Sequence, residues 1–499
     1  MTAPHNSQPS RVFCSGTLIV HYAFIYLIFT VVFEITRFMV NRFEIEPNAG
    51  WAVRRRVTSV FRYEYVFLFG SILIYHRILA VFAAENLAKR VNGRKTSSES
   101  ESVFVLENGG DNLHLMGTTV MRERPASPIN QRRTRSVALF TWFLLSASHF
   151  TFIIFWWQSY IPATITWFCA VCLGYWLHIV PCFLVLWMWD VLRWAIDRIP
   201  KLAALFYSMV YVLPRWMQSY VLDSRLQSIV ALVASTMFVL VSLVGASMYQ
   251  VTDLHVRFTK HPLPASARNT HIVMLSDIHM GGVVTGSQLN KIVGIVNEMQ
   301  PDAIIFVGDL VDGRVDQLAP DLEPLRQLTA KQLYFVTGNH EYYYSDASAW
   351  MRYLSRNFNM IMLNNSAMMI PQGLCLAGFD DHTLKNTSSL YDSAQFTHDV
   401  LSACNTSAPL ITLMHNPFYA YNLSDTNLAQ RTDLILSGHV HAGQYYVLAP
   451  LLYLRLPLFY GWYTLPHQVR AFVSAGVHYF AVPMKMLGFA EIVSIRFVD

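Results

Sequence analysis

The sequence has few charged residues for its length. Only 14% of the 499 residues are Asp, Glu, Lys or Arg, whereas 53% are hydrophobic, and the mean hydropathy is +0.32. Soluble globular domains carry about 25% charged residues, so this composition argues against a chain built only of such domains. It predicts a protein of more than one domain, of which about half lies in a membrane.

Cysteine is scarce and the net charge is small. Six cysteines in 499 residues do not make a disulfide framework. Cys169 and Cys172 form a C-x-x-C pair inside an apolar run, where small buried core residues are the simpler interpretation. The net charge is +5, and the arginines cluster beside apolar segments, which favours anionic lipid headgroups and predicts no nucleic-acid binding.

Several apolar runs before residue 250 are long enough to cross a bilayer, which needs roughly 20 apolar residues. Residues 1–250 are therefore predicted to form an α-helical, multi-pass membrane region with about five transmembrane helices, and four or six remain alternatives. For the first run, the absence of a small-residue cleavage site favours an uncleaved helix over a signal peptide. The predicted helices cover residues 18–35, 65–84, 137–157, 165–189 and 229–248.

A long polar segment separates the second and third predicted helices. Residues 85–136 contain RKTSSESES and RERPASPINQRRTRS and have little apolar content. Such a segment cannot bury enough apolar surface to fold alone, so it is predicted to be a disordered loop with a basic end.

The second half of the chain has five strand-like apolar runs, each ending at Asp, Asn or His near Gly or Pro. In the first, HIVMLSDIHMGG, two polar residues lie two apart, which on a strand would point both side chains to one face. Core strands explain the apolar parts but not the polar ends in succession. The residues at these ends are Asp277, His279, Asp309, Asn339, His340, His415, His439 and His441.

Side chains of these types are metal ligands. A mixture of carboxylate, amide and imidazole suits Mn, Fe or Zn better than Mg or Ca, which prefer oxygen ligands only. Two such ions about 3.5 to 4 Å apart lower the pKa of a bridging water and clamp the attacking and leaving oxygens of an in-line displacement. The pattern predicts two divalent metal ions and hydrolysis of a phosphomonoester or phosphodiester by a metal-bridging hydroxide.

The succession D-x-H, G-D, G-N-H-[DE], H and G-H-x-H resembles the calcineurin-like metallophosphoesterase superfamily over about residues 268–499. The segments GQYYVLAPLLYLRLPLFYGWY and GFAEIVSIRF are most similar to its membrane-tethered branch. The resemblance implies an α/β domain of two facing mixed β-sheets flanked by helices, with Asp309 bridging the two metals. One metal would then bind Asp277, His279, Asp309 and His441, and the other would bind Asp309, Asn339, His415 and His439.

His340 and Asp312 are the candidate catalytic residues. His340 is absent from the implied ligand sets, so it is free to protonate the leaving oxygen or to stabilise charge on the phosphoryl group. The resemblance implies that Asp312 holds His340 by a hydrogen bond. An exposed turn aspartate is the alternative interpretation of Asp312.

Three classes of function fit these features. The first is a membrane-anchored metal-dependent phosphoesterase, the second a catalytically silent binding or scaffold module, and the third a membrane transporter with a regulatory phosphoesterase domain. No ligand position is lost, which favours the enzyme over the silent module. The predicted spans lack the clustered charges and glycine breaks of a transport path.

The arginine distribution bears on which side of the membrane the catalytic domain occupies. With five spans, residues 85–136 and 190–227 share a side and hold more Lys and Arg than the loop 36–64 on the other side. The positive-inside rule then favours a catalytic domain that is extracellular or lumenal. Four Asn-x-Ser/Thr sequons fall in that domain, at Asn364, Asn386, Asn405 and Asn422.

The apolar segment Tyr445–Tyr463 follows His441 closely and contains one charged residue, Arg455. Pro450 and Pro457 make a continuous helix unfavourable. It is either a buried strand pair of the second sheet or an apolar lip beside the metal cleft that admits a lipid phosphoester. The predicted partners are accordingly a phosphoester substrate, soluble or lipid-linked, and membrane lipid.

Overall fold

The protein is described by a computed structural model that places most of the chain. The predicted helix 18–35 lies outside the described residues. Residues 85–127 of the predicted disordered loop also lie outside them. The described residues are 64, 66–79, 128–156, 161–344, 347–381, 394–422 and 427–499.

Six α-helices precede the first strand in this part of the chain. Two of them, Ala163–Asp197 and Ser224–Gly245, are long and apolar enough to cross a membrane, whereas Val66–Leu79 and the apolar stretch Ser136–Thr151 are shorter. A multi-pass topology with about five spans therefore stays a prediction. The six helices are α1 (Val66–Leu79), α2 (Pro128–Trp156), α3 (Ala163–Asp197), α4 (Pro200–Val212), α5 (Arg215–Leu222) and α6 (Ser224–Gly245).

The prediction of a disordered loop is wrong for residues 128–136, because α2 begins at Pro128. Proline suits the first turn of a helix, since its φ is already helical and its missing N–H has no partner there. The basic residues after Pro128 therefore continue into the apolar part of the same helix.

The chain forms two compact units. The first unit contains Ser146–Pro181 and Ala234–Asp499, together with the described residues before Gly70. The second unit contains Cys182–Val233, together with the described residues from Gly70 to Leu145. Within the second unit, Arg77 forms an ion pair with Asp190 and donates a 2.8 Å hydrogen bond to Ser228. The charge of Arg77 within an apolar helix is thus neutralised by a neighbouring helix.

Two six-stranded mixed sheets form the C-terminal domain, which confirms the predicted α/β architecture. In the first sheet one internal pair of strands is antiparallel and the other four pairs are parallel. In the second sheet the three central pairs are parallel and the pair at each edge is antiparallel. The first sheet has the order β1 (Tyr249–Val256), β12 (Ala490–Phe497), β2 (His271–Leu275), β3 (Ala303–Val307), β4 (Gln332–Val336) and β5 (Ile361–Met362). The second has the order β10 (Gly461–Leu465), β11 (Val469–Val473), β9 (Leu434–Ser437), β8 (Leu410–Met414), β7 (Cys375–Phe379) and β6 (Ser366–Met369).

The two sheets face each other across a buried apolar layer. Ile272 and Ile305 of the first sheet pack in one cluster with Leu413 and Leu436 of the second. On the other face of the first sheet, α7 (Gly286–Glu298) buries its apolar stripe. Because both faces of the central strands are covered, most residues of these strands are apolar on both faces, as the sequence showed.

Short helices connect the strands of the domain. They include a 3₁₀ segment, Ala319–Gln327, and an α-helix, Ala347–Phe358. In chain order, the α-helices after α7 are α8 (Val315–Leu318), α9 (Ala347–Phe358), α10 (Ala394–Leu401), α11 (Pro417–Asn422), α12 (Asn427–Arg431) and α13 (Ala449–Arg455).

The interpretation of Tyr445–Tyr463 as a buried strand pair is wrong. The segment contains the helix α13, and only its last part belongs to a strand, β10. Pro450 lies in the first turn of α13 and Pro457 follows its end, so neither interrupts helical hydrogen bonding. Leu451 and Leu454 are 60% and 82% exposed, so this helix does not bury its leucines within the domain.

A disulfide joins Cys375 at the start of β7 to Cys404 after α10. Six cysteines in so long a chain predict no disulfide framework, and a single bond is compatible with that prediction. The pairing itself was missed, because two cysteines 29 residues apart do not identify each other by spacing alone.

Candidate metal centre

The seven candidate metal ligands all follow the carboxyl ends of parallel strands. Because the two sheets face each other, these strand ends meet at one edge of the domain. The ligands are Asp277 and His279 after β2, Asp309 after β3, Asn339 after β4, His415 after β8, and His439 and His441 after β9. All are buried except His439, which is partly exposed.

The backbone that carries these ligands is mostly not strand. Asp277 and His279 have φ values of 57° and 52°, so the prediction that both leave one strand face is wrong. β2 already ends at Leu275, and the loop is held by hydrogen bonds from the two ligand N–H groups to Gly308 and Asp309 carbonyls. Left-handed residues that are not glycine cost about 1 to 3 kcal/mol each and occur mainly at functional sites.

Two glycines make room for the ligands. A Cβ on Gly338 would lie 2.2 Å from Oδ1 of Asp309, and one on Gly438 would lie 2.3 Å from Oδ2 of Asp277. A side chain at either position would displace a carboxylate. These glycines of the GNH and GHxH motifs are therefore required by close approach.

The ligands form two clusters around Asp309. We call Asp277, His279 and His441 the first cluster, and Asp309, His415 and His439 the second cluster; in each, one ligand atom per residue lies within 4.8 Å of the others. Oδ2 of Asp309 is 3.0 Å from Nε2 of His415 and 3.8 Å from Nε2 of His279. Asp309, a member of the second cluster, thus also faces the first, and its role as a bridge between two metals stays a prediction.

The first cluster fits a cation because two imidazole nitrogens face each other. Nε2 of His279 lies 3.1 Å from Nε2 of His441, while their Nδ1 atoms bond to Asp312 and to the carbonyl of His478. Without a metal, one proton has to lie between the two Nε2 atoms. Burial lowers the pKa of His441 to about 3. Burial acts on His279 in the same direction, but the negative charges of Asp312 and of other carboxylates outweigh it, and the pKa of His279 is raised to about 9. A bound cation would take the place of this proton.

Beside Asp309, the buried Oδ1 of Asn339 has no hydrogen-bond partner among the described residues. The buried Nε2 of His415 has no aligned hydrogen bond either, and its contact is the ion pair with Oδ2 of Asp309 at 3.0 Å. Nδ1 of His415 is already engaged with the carbonyl of Val307 at 2.8 Å, which orients Nε2 toward Asp309. Buried polar atoms are normally paired, so these two atoms fit a metal ion.

Asp312 contacts both a predicted ligand and the predicted acid. Its Oδ1 accepts hydrogen bonds from Nδ1 of His340 at 2.5 Å and from Nδ1 of His279 at 3.0 Å. Asp312 is buried, so the alternative of an exposed turn residue is wrong. Burial alone would raise the pKa of Asp312, but the two imidazoles outweigh it and hold that pKa well below its usual range.

His340 lies beside the clusters. Its Nε2 is 3.9 Å from Oδ2 of Asp309, and its backbone N–H donates to Oδ1 of the same residue at 2.8 Å. With His279 and Asp309 it also forms a third group of possible ligands. The geometry therefore allows either an acid or a ligand at His340, and its role as an acid stays a prediction.

Glu341 supports the bridging loop and was not given a role from the sequence. Its carboxylate accepts the backbone N–H groups of Asp309 and Leu310, at 3.1 and 2.8 Å, and of Gly338, at 2.7 Å. Burial, with the negative charge of Asp309, raises the pKa of Glu341 to about 7. The signal was available, since Glu341 completes the GNHE motif.

A segment near the C-terminus also supports the site. Nζ of Lys485 donates to the carbonyls of Ala475 and Gly476, each at 2.6 Å, and to that of His478. The His478 carbonyl is the same one that orients His441, and the ring of Phe480 packs against His279. No motif surrounds these residues, so sequence patterns gave no signal for them.

Comparison with known proteins agrees with this geometry. Residues 270–443 match the family model for calcineurin-like phosphoesterases. The chain is 35% identical over 280 residues to a zebrafish (Danio rerio) protein named "Transmembrane protein with metallophosphoesterase domain", and 36% identical over 282 residues to a Bos taurus protein of the same name. It is 30% identical over 226 residues to an uncharacterized metallophosphoesterase of Helicobacter pylori.

These matches cover part of each protein. They span 54% of this chain for the two animal relatives, and 62% and 61% of the relatives' own lengths. For the bacterial relative the shares are 45% and 59%. The names of the animal relatives, with the two long apolar helices, suggest a membrane protein.

Proposed function

We propose, from the premise that the C-terminal domain belongs to the calcineurin-like phosphoesterase superfamily, that this chain is a membrane-anchored hydrolase of phosphoric esters that uses two divalent metal ions. The observation that carries the proposal is the pair of clusters on either side of Asp309. Two adjacent sets of carboxylate and imidazole ligands, with His340 beside both, have no structural need in a silent module.

The fit of the residues supports the binding of metals. Asp277, His279 and His441 would hold one ion, and His415, His439 and Asn339 would hold the other, with Asp309 shared. Bound there, divalent ions supply Lewis acidity and an activated water at neutral pH. The mixed ligand set favours Mn, Fe or Zn.

The chain's own residues supply the remaining chemistry. Asp312 holds Nδ1 of His340, so Nε2 of His340 is the atom that points to the cleft. From there it can donate a proton to the leaving oxygen or a hydrogen bond to the phosphoryl group. The same carboxylate orients His279, so the acid and one ligand are positioned by a single group.

Several features support a catalytic domain outside the cytosol. The Cys375–Cys404 disulfide would persist in an oxidising compartment. Asn364 and Asn405, each in a glycosylation sequon, are exposed on the domain. A protein that is insensitive to glycosidase and whose C-terminus is digested by protease from the cytosolic side would contradict this placement.

The proposal is tested with the full-length protein in detergent. After treatment with chelator, we expect no hydrolysis of p-nitrophenyl phosphate or bis(p-nitrophenyl) phosphate, and recovery when Mn, Zn or Fe is added. Mass spectrometry of the reconstituted protein should find about two metal ions per chain. Metal binding without hydrolysis of either ester would favour a scaffold, and activity that is unchanged by chelator would contradict the metal mechanism.

A further inference from the structure

The exposed helix α13 lies directly beside the metal centre. A Cβ on Gly443, two residues after His441, would be 2.8 Å from Cα of Ala449, the first residue of α13. Ala449 packs there in one cluster with Ala442 and Tyr446. The first turn of α13 is therefore fixed to the loop that carries a predicted metal ligand.

The outer side of α13 is apolar and exposed. Leu451, Tyr453 and Leu454 are 60%, 64% and 82% exposed, and the charged residue of the helix, Arg455, is at its end. Leu487, on the adjacent supporting segment, is 47% exposed. Apolar side chains grouped in this way mark a surface that contacts an apolar partner.

The segments beside α13 pack against the parts of α3 and α6 that belong to the same compact unit. The ring of Tyr446 stacks on Phe238 of α6 at 5.4 Å, and the ring of Tyr445 contacts His178 of α3 at 5.7 Å. The hydroxyl of Tyr446 accepts the backbone N–H of Leu487 at 2.9 Å. The backbone N–H of Lys485 donates to the carbonyl of Ser242 in α6 at 2.9 Å.

These contacts lie well inside the apolar helices. Phe238 precedes the end of α6 at Gly245 by seven residues, which is roughly 10 Å along a helix axis. On α3, a Cβ at Gly174 would lie 2.6 Å from the side chain of Val482. If α6 crosses the membrane, Tyr446 and the start of α13 lie at the depth of the lipid and not above it.

We propose that α13 inserts into the membrane interface beside α6, so that the metal cleft opens toward the headgroup layer and takes a phosphoester carried on a lipid. The occupant of the exposed leucines is the bilayer, since Tyr446, three residues before α13, stacks on Phe238 of the apolar helix α6. Interfacial helices of this kind bury their apolar face about 5 to 10 Å into the headgroup and acyl boundary. The substrate class rests on the proposed phosphoesterase function, whereas the insertion does not.

Insertion is tested on the full-length protein in phosphatidylcholine and phosphatidylglycerol vesicles. A nitrobenzoxadiazole probe on Leu454→Cys should be quenched by lipids that carry a nitroxide high on the acyl chain. Val244→Cys, exposed on α6, is the positive control, and Ile361→Cys, exposed on the far edge strand of the first sheet, is the negative control. Labelled protein without the added cysteine gives the background from native thiols.

We expect quenching at Leu454→Cys close to that at Val244→Cys and at least about twofold above that at Ile361→Cys, as for an interfacial helix. Quenching equal to that at Ile361→Cys overturns the insertion. If a second copy of the chain or another protein covered α13, it would shield the probe from water without bringing the probe near the nitroxide. Quenching at Leu454→Cys would then equal that at Ile361→Cys.

The substrate class is tested in the same vesicles with two pairs of esters, each of one soluble compound and one lipid. The phosphomonoesters are p-nitrophenyl phosphate and the lipid phosphatidic acid. The phosphodiesters are bis(p-nitrophenyl) phosphate and the lipid phosphatidylglycerol. In the double variant Leu451→Ser and Leu454→Ser, the rate on the lipid ester should fall at least about tenfold and the soluble rate should stay within about twofold. Ile361→Ser, which removes an exposed apolar side chain elsewhere, should change neither rate.

Equal losses on the lipid and soluble esters, in a double variant that unfolds at the wild-type temperature, overturn the lipid substrate. Hydrolysis of soluble esters only, by the wild-type protein, also overturns it and leaves the phosphoesterase function intact. A wild-type protein that hydrolyses neither kind of ester contradicts the phosphoesterase function, and the quenching result still decides whether α13 inserts.

Discussion

The two metal-ligand clusters are held in place by different kinds of structure. In the first cluster, His279 is oriented by the side chain of Asp312, and His441 by a carbonyl on the loop that Lys485 supports. In the second cluster, His415 is oriented by the carbonyl of Val307, at the end of strand β3. The histidines of the first cluster therefore depend on a side chain and a loop, whereas His415 of the second cluster depends on the register of the sheets.

The difference teaches where substitutions can act. A side chain such as Asp312 can be removed by mutation, whereas a strand carbonyl stays unless the strand moves. Two residues near the first cluster also contact α6. They are Lys485, through its backbone N–H, and Tyr446, through its ring. We therefore expect the first cluster to respond selectively to substitutions that leave the second cluster intact.

The largest effect is expected from Asp309→Asn, which should abolish the difference between the clusters. Asp309 is shared, so losing one carboxylate oxygen should weaken both sites and reduce hydrolysis to background. Metal content by mass spectrometry and turnover of p-nitrophenyl phosphate measure the two losses together. The exposed Asp316→Asn is the matched control, and an Asp309→Asn protein with two metals and full activity would refute the bridging role.

The next largest effect is expected from His340→Ala, which should spare both clusters. Turnover should fall by about a hundredfold or more, as for loss of a general acid or of a charge-stabilising group. Metal content should stay at the wild-type value, and the exposed His398→Ala serves as control. Loss of metal would instead identify His340 as a ligand, the alternative that its distance to Asp309 allows.

A smaller effect that separates the clusters is expected from Asp312→Asn. The imidazoles of His279 and His340 lose their shared acceptor, and groups of this kind are worth about 10 to 100-fold in metal affinity or activity. Metal content should approach one ion per chain as the first cluster releases its ion. Equal weakening of both ions in a titration with chelator would show that the clusters do not behave independently.

The smallest effect is expected from Lys485→Met. The change removes a donor shared by three buried carbonyls, of which those of Gly476 and His478 keep a second donor, at a cost of about 1 to 3 kcal/mol in the free energy of unfolding. Because one of these carbonyls orients His441, we also expect turnover to fall by up to about tenfold. Thermal unfolding and turnover are the measurements, with the exposed Lys331→Met as control. Wild-type turnover in the variant would show that His441 does not need this support.

The candidate ligands were visible in the sequence because they interrupt apolar runs. A strand such as AIIFV is buried on both faces, so the polar residue that ends it, Asp309, has to lie at the edge of the sheet. Local pattern and sheet topology agree at that point. The same reasoning failed for the orientation of Asp277 and His279, because the loop after β2 uses left-handed backbone that the sequence does not signal.

Other features depend on parts of the chain that are distant in sequence. Lys485 reaches the site through the return of the chain after β11, and nothing in its neighbours identifies the carbonyls that it contacts. Asp312 was predicted to hold one histidine and contacts two, since the second contact requires the loop after β2 to fold over it. α13 was missed because an apolar run with two prolines does not distinguish a short helix from strands.

The position of β12 has a consequence for the order of synthesis and folding. This strand, Ala490–Phe497, lies between β1 and β2, which are encoded more than 200 residues earlier. At about 5 to 20 residues per second, a ribosome needs roughly 10 to 50 s to travel from β1 to β12. During that interval β1 has no neighbour in the sheet while α6, just before it, has already been made. The nascent domain therefore presents unpaired strand edges beside the membrane until its final strand emerges, and this is the period in which we expect it to bind chaperones.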